Sequence, residues 1–218
     1  MSDGRASTAL AQQFEDLEQQ HEAASLGMWV FLATEVMFFG GLFAGYTIYR
    51  SLHLPGFVAG SHRLDVTIGA INTAVLICSS LTMALAVRSA QLGKRKSLIT
   101  FLIITMLLGL AFILIKLTLE WRHDYLEGFA PGLNFTFAGP NATAVEMFFC
   151  FYFIMTGVHA LHMVVGVGIL TVLLVLAWKG RFSPTRYNAV EIAGLYWHFV
   201  DIVWIFLFPL LYLIGGRY

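Results

Sequence analysis

Glu35, His159, His162, His198 and Asp201 are the side chains of this sequence that could hold or pass a proton from within apolar surroundings. Glu35 stands near the middle of residues 26–49, where it is the only ionisable group apart from two tyrosines. His159 and His162 lie three apart in FYFIMTGVHALHMVVG, and His198 and Asp201 are likewise three apart in YWHFVDIVW. On a helix such neighbours share a face. Carboxylates and imidazoles so placed can hydrogen-bond between helices, relay protons or bind a metal. A charge about nine residues inside a membrane helix costs ~2.5 kcal/mol or more, so function is the default reading of Glu35 and helix-to-helix hydrogen bonding the plainer one.

Spacing argues against a haem or a metal. Two histidines on one helix face cannot approach an iron from opposite sides, so a bis-imidazole site would need His198 with one of His159 and His162. Zinc or copper would want a third or fourth ligand, and the sequence offers only Glu35 or Asp201. Hydrogen bonding between imidazole and carboxylate accounts for all five residues. No nucleophile paired with a base and no cofactor fingerprint accompanies them.

The elements that must carry these groups are membrane helices. Charged residues make up 12% of the chain and hydrophobic ones 58%, with a mean hydropathy of +0.76; a soluble domain carries about a quarter charged residues. After residues 26–49, four further apolar segments run over 66–87, 98–119, 145–178 and 189–214, each long enough to span. The fold class is therefore all-α, a polytopic bundle of five transmembrane helices over residues 26–218, preceded by a polar segment, 1–25. The fourth segment has residues to spare and should tilt or project. Joints are expected at Leu54-Pro55-Gly56, at 93–96, at Ala130-Pro131-Gly132 and at Phe182-Ser183-Pro184.

Arg5, Arg88, Lys94, Arg95, Lys96, Lys179, Arg181 and Arg186 would lie on one side, against Arg50, Arg63, Arg122 and Arg217 on the other. Such asymmetry puts the N-terminus in the cytoplasm and the C-terminus outside. Glu120, Asp124 and Glu127 then belong to an outward acidic loop, and Lys116 and Glu146 are boundary residues whose side chains reach the interface. Residues 1–25 do not form a signal peptide, being polar, but Leu10, Phe14, Leu17 and His21 mark a narrow apolar stripe. Gly41 and Gly45, four apart, read as a helix-packing face. Cys78 and Cys150 read as small buried hydrophobes. Thirteen acids balance thirteen bases, so no basic face points to nucleic acid.

Several strings resemble one family. LGMWVFLATEVMFFGGLFAGY is similar to the buried-glutamate helix of subunit III of the haem-copper oxidases of cytochrome c oxidase type, with Glu35 as the glutamate. TGVHALHMVVG looks like its histidine pair, GLYWHFVDIVWIFLFPLLY like its last helix with Trp197, His198, Asp201 and Trp204, and INTAVLICSS like the helix after the glutamate. The chain has room for five helices where mitochondrial-type members have seven, which resembles the short bacterial form.

The resemblance implies a multi-pass subunit of a bacterial inner membrane that binds no haem or copper itself. It would sit beside catalytic subunit I, which holds the haems and copper and reduces dioxygen while pumping protons, and beside subunit II. It would support proton uptake, a lipid-lined oxygen route and stability of the catalytic subunit, with phospholipid bound and another polypeptide able to supply the missing helices. Glu35 and the WHFVDIVW string favour the cytochrome c type. The alternatives are subunit III of a quinol oxidase, the accessory subunit of a nitric oxide reductase and, from another class, a b-type cytochrome membrane anchor.

Overall fold

A computed structural model of the chain describes residues 17–137, 139–184 and 186–213. Among the described residues the fold is all-helical, with one isolated antiparallel bridge between Ser183 and Arg186 and no strand. Helix α1 spans Leu17–Leu52, α2 Leu54–Ser61, α3 Val66–Gln91 and α4 Arg95–Ile115. From α4 the chain continues through a π-helical turn, Lys116–Trp121, into the short α5, Arg122–Leu126. Helix α6 covers Ala142–Trp178, and α7, Asn188–Phe208, runs into a second π-helical turn, Pro209–Leu213.

Among the described residues, five stretches are long and apolar enough to cross a membrane: Glu18–Leu52, Val66–Gln91, Arg95–Leu126, Ala142–Trp178 and Asn188–Leu213. They coincide with the five segments expected from hydropathy. The first and third are longer than expected: the first begins at Glu18, within the polar segment 1–25, and the third runs past 119 to Leu126 and carries Glu120 and Asp124 out of the expected loop into the helix. The first expected joint, 54–56, is instead the start of α2, with Pro55 in the first turn, where its missing N–H is no loss. Of the N-terminal stripe, Leu10 and Phe14 lie outside the described residues, and Leu17 and His21 fall at the start of α1.

Local chemistry fixes the helix ends. Asp65 caps α3, its Oδ1 accepting from the backbone N–H groups of Thr67 at 2.7 Å and Ile68 at 3.3 Å. Gly93 and Gly180 take left-handed backbone, φ +67° and +70°, just beyond the ends of α3 and α6. Arg95 reaches across to α6 and donates to the last carbonyls there, Ala177 O at 3.0 Å and Trp178 O. A cation on orphan carbonyls at a helix C-terminus is favourable.

Helices α3, α4, α6 and α7 pack on one another, with α2 against α6 and α1 against α6 and α7. Helix α7 is the most enclosed span and α1 the least, 56% against 11% of their apolar windows being buried. Lipid offers no hydrophobic drive between helices, so small residues and polar pairs hold them. Trp197 lies between Gly109 of α4 and Gly166 of α6, and its Nε1 donates to Ser79 Oγ of α3 at 3.0 Å. Trp204 Nε1 donates to Thr73 Oγ1 at 3.0 Å, and the hydroxyls of Thr82 and Thr105 meet at 2.8 Å. Neither cysteine is buried as expected: Cys78 is exposed on α3 and Cys150 partly so on α6.

A β-carbon at Gly109 would stand 2.7 Å from the Trp197 ring. Gly109→Ala should therefore cost ~1–3 kcal/mol, lowering the denaturation midpoint of the isolated subunit in detergent. Gly40→Ala, where nothing lies within 4 Å, should leave that midpoint unchanged or slightly raised.

Candidate functional site

The expected acid and imidazole set divides into three places. Glu35 of α1 meets His162 of α6, Oε2 to Nε2, at 3.2 Å. The other ring nitrogen, Nδ1, lies 2.9 Å from the Val158 carbonyl, and since a carbonyl only accepts, Nδ1 carries the hydrogen there. A hydrogen bond between Oε2 and Nε2 then needs one proton, carried by either atom. Phe39 lies beside the imidazole at 5.5 Å between ring centres, and the Tyr196 hydroxyl donates to the His162 carbonyl at 2.9 Å. The Glu35 and His162 side chains are 19% and 16% exposed, so the pair sits on the rim of the bundle and not in its centre.

His159 does not join them. Although three residues before His162, it turns into the core of α4, α6 and α7, edge-on to Phe112 at 5.4 Å and beside Trp204 at 5.1 Å. Its two ring nitrogens have no hydrogen-bond partner among the described residues. His198 and Asp201 form the third place, on the α3–α7 side, where Ser80 Oγ lies 2.7 Å from His198 Nδ1 and also faces the Asp201 carboxyl. Among the described residues no three of His, Cys, Asp and Glu gather where a metal ion could be held.

The two glycines behave differently. Gly45 lets the Phe151 ring of α6 approach, 3.5 Å from where a β-carbon would be. Gly41 is exposed and would meet nothing within 4 Å, which corrects its assignment to helix packing within this chain.

The most heavily buried ionic group was assigned to the boundary by sequence. Lys116, expected to snorkel, is 1% exposed. Its Nζ donates to Glu120 Oε2 at 2.6 Å, to Tyr212 Oη at 2.6 Å and to Tyr152 Oη at 3.1 Å, using all three of its hydrogens. The Tyr152 hydroxyl lies 3.2 Å from the same carboxylate oxygen, which Tyr212 Oη also contacts. The rings of Tyr152, Trp204 and Tyr212 surround the ammonium at 4.7, 5.1 and 5.3 Å. Asp124, expected in a water-facing loop, is 4% exposed one turn beyond Glu120.

A sequence signal for this group existed. Lys116, Glu120 and Asp124 are spaced four apart, which places them on one face if the helix continues. The π-helical turn through Lys116–Trp121 keeps that helix going past the end of the apolar run.

Among the described residues, then, the fold defines an all-helical, five-span membrane protein with a buried ionic group built on Lys116 and Glu120. The chain belongs to the family described as cytochrome c oxidase subunit III, whose sequence model matches residues 15–216. It is 31% identical over 202 residues to Quinol oxidase subunit 3 of Bacillus subtilis, covering 91% of this chain and 92% of that one. It is 34% identical over 192 residues to Cytochrome c oxidase subunit 3 of Corynebacterium diphtheriae, 87% of each chain being covered. With Cytochrome c oxidase subunit 3 of Papio hamadryas it shares 32% over 200 residues, 87% of this chain but 69% of that one. The protein is a subunit III of the haem-copper oxidases, works with the other subunits of such an oxidase, and through them belongs to an oxidoreductase complex. Relatives named for quinol and for cytochrome c match to a similar degree, so overall similarity does not separate the two donors.

Removing one partner from a buried ion pair strands the other, at a cost of ~3–5 kcal/mol. Lys116→Met alone should sharply lower the amount of folded subunit recovered in detergent. Lys116→Met combined with Glu120→Gln should recover part of that loss, and a double variant no better than Lys116→Met would exclude the pairing.

Proposed function

We propose that this chain is the non-redox subunit of a bacterial inner-membrane oxidase, seated against catalytic subunit I near subunit II, with the haems and copper held by the catalytic subunit. The observation that carries this reading is the Glu35–His162 contact, on the rim of the bundle where a neighbouring subunit can reach it. Its single proton can sit on either partner, which suits a group that tunes proton movement next door. The preference for cytochrome c over quinol as the donor rests on Glu35 and the WHFVDIVW string. An open groove of about 480 Å³ between α1 and α7, lined by Trp29, Leu32, Val36, Phe199 and Phe206 among others, suits the acyl chain of a bound phospholipid.

Glu35 tunes protons in this reading, and His198 holds the last helix against α3 through Ser80, with Asp201 one turn along the same face of α7. Glu35→Gln keeps the size of the side chain and cannot exchange a proton with His162. The assembled oxidase carrying it should retain its haem spectrum while losing at least half of its proton pumping or its catalytic lifetime. Normal pumping and lifetime would leave Glu35 as helix-to-helix glue.

The Lys and Arg asymmetry gives a cytoplasmic N-terminus and an external C-terminus. The loop after α3 then faces the cytoplasm and the connection between α5 and α6 faces outward. Lys96→Cys and Asn134→Cys, each introduced after Cys78 and Cys150 are replaced by Ser, should react with an impermeant maleimide from opposite sides of sealed vesicles. Reaction of Asn134→Cys from the cytoplasmic side would reverse the orientation.

A further inference from the structure

The buried acids beneath the α2–α3 connection do more than neutralise Lys116. A cavity of about 90 Å³ opens there, with exposed Arg63, Asp65 and His123 at its mouth and buried Glu120, Asp124 and Tyr152 at its floor. At that depth Glu120 Oε1 and Asp124 Oδ2 are sealed from bulk solvent and have no hydrogen-bond partner among the described residues. A buried carboxylate oxygen without a partner costs ~1–3 kcal/mol or more. Water relieves this when the space is polar and large enough, one molecule needing ~10–15 Å³ on this measure. This cavity has room for several, and its mouth groups leave the centre open: Asp65 Oδ1 is engaged in capping α3, and the Arg63 guanidinium lies over Phe129 and Phe137 at 5.7 and 5.8 Å.

We propose that this cavity is a water-filled inlet through which the Glu120–Asp124 pair exchanges protons with the aqueous phase on the loop side of the bundle. Its ligand is a small cluster of water together with the hydrated proton. A proton passes from hydronium in the cavity to the Asp124 carboxyl and back: one O–H bond of the hydronium breaks as the carboxyl O–H forms, and the water cluster loses and regains one positive charge. Every charged or titratable group facing the pair has a part in that balance. Lys116 offsets one negative charge, Tyr152 of α6 and Tyr212 at the end of α7 donate towards Glu120, and His123, Arg63 and Asp65 surround the mouth. No three of Asp65, Glu120, His123 and Asp124 gather closely enough to hold a metal ion, and Arg63 at the mouth adds positive charge, so water fits the cavity better than a bound cation. The inlet is independent of the Glu35–His162 pair and of which side of the membrane the loops meet.

Proton exchange is read by infrared spectroscopy of the assembled oxidase in nanodiscs during transfer into deuterated buffer. Asp124→Asn should remove one carboxyl signal that responds to a pH jump, and Ile68→Trp, which fills the cavity beside that group, should slow deuterium exchange of the same signal at least tenfold. A carboxyl spectrum unchanged by Asp124→Asn, or exchange unaffected by Ile68→Trp, would refute the inlet even with the fold intact.

Discussion

The Lys116 ammonium and the single Glu120 oxygen it faces are the interaction on which the half of this bundle nearest the α5–α6 connection depends. A bilayer supplies no water to a stranded charge, so both ions require partners from the protein. The partners come from different elements: Tyr152 from α6 and Tyr212 from the turn beyond α7. Both π-helical turns of the described chain therefore converge on one ammonium. Pro209 starts the second of them, and two carbonyls of that turn are taken up by neighbours, Leu210 O accepting from Tyr46 at 3.0 Å and Leu211 O from Ser61 at 2.9 Å. Hydroxyls from adjacent helices are how membrane proteins accommodate an interrupted helix. Helices α1 and α2 are thereby tied to the same region.

The two polar centres differ in how firmly they are held. The Lys116 cage is sealed by aromatic rings, whereas Glu35 lies on the least enclosed helix and meets His162 where the bundle ends. Rigidity suits the first, since any displacement exposes an ion to hydrocarbon. A rim position suits the second. It leaves the carboxyl within reach of a neighbouring subunit, as befits a chain that works only as part of an oxidase.

The number and placement of the spans were legible in the sequence, because apolar length is decided by the bilayer alone. The pairing of Glu35 with an imidazole was legible in kind, since hydrogen bonding between carboxylate and imidazole accounts for both without a metal. Where His159 and His162 diverge was not: three residues turn a helix through about 300°, and the remaining 60° separates two interhelical clefts. Lys116 was misread because hydropathy marks the end of apolar residues and not the end of a helix. Here the helix continues to Leu126, so residues read as loop acids became floor and wall of a cavity. Gly41 shows the converse limit, since spacing fixes a shared face but not whether anything packs against it.

The long sequence separations across this fold set a timetable for its synthesis. Tyr46 waits for a carbonyl 164 residues further along the chain, and Glu35 waits almost as long for His162. At roughly 5–20 residues per second, α1 leaves the ribosome roughly 8–30 s before its polar side chains can meet the partners they have in the finished bundle. During that interval it must stay in the bilayer on its own hydropathy, the second lowest of the five spans. The nascent subunit is thus most exposed to quality-control proteases at its beginning, and a translational pause anywhere between α1 and the end of α7 lengthens that window by its full duration.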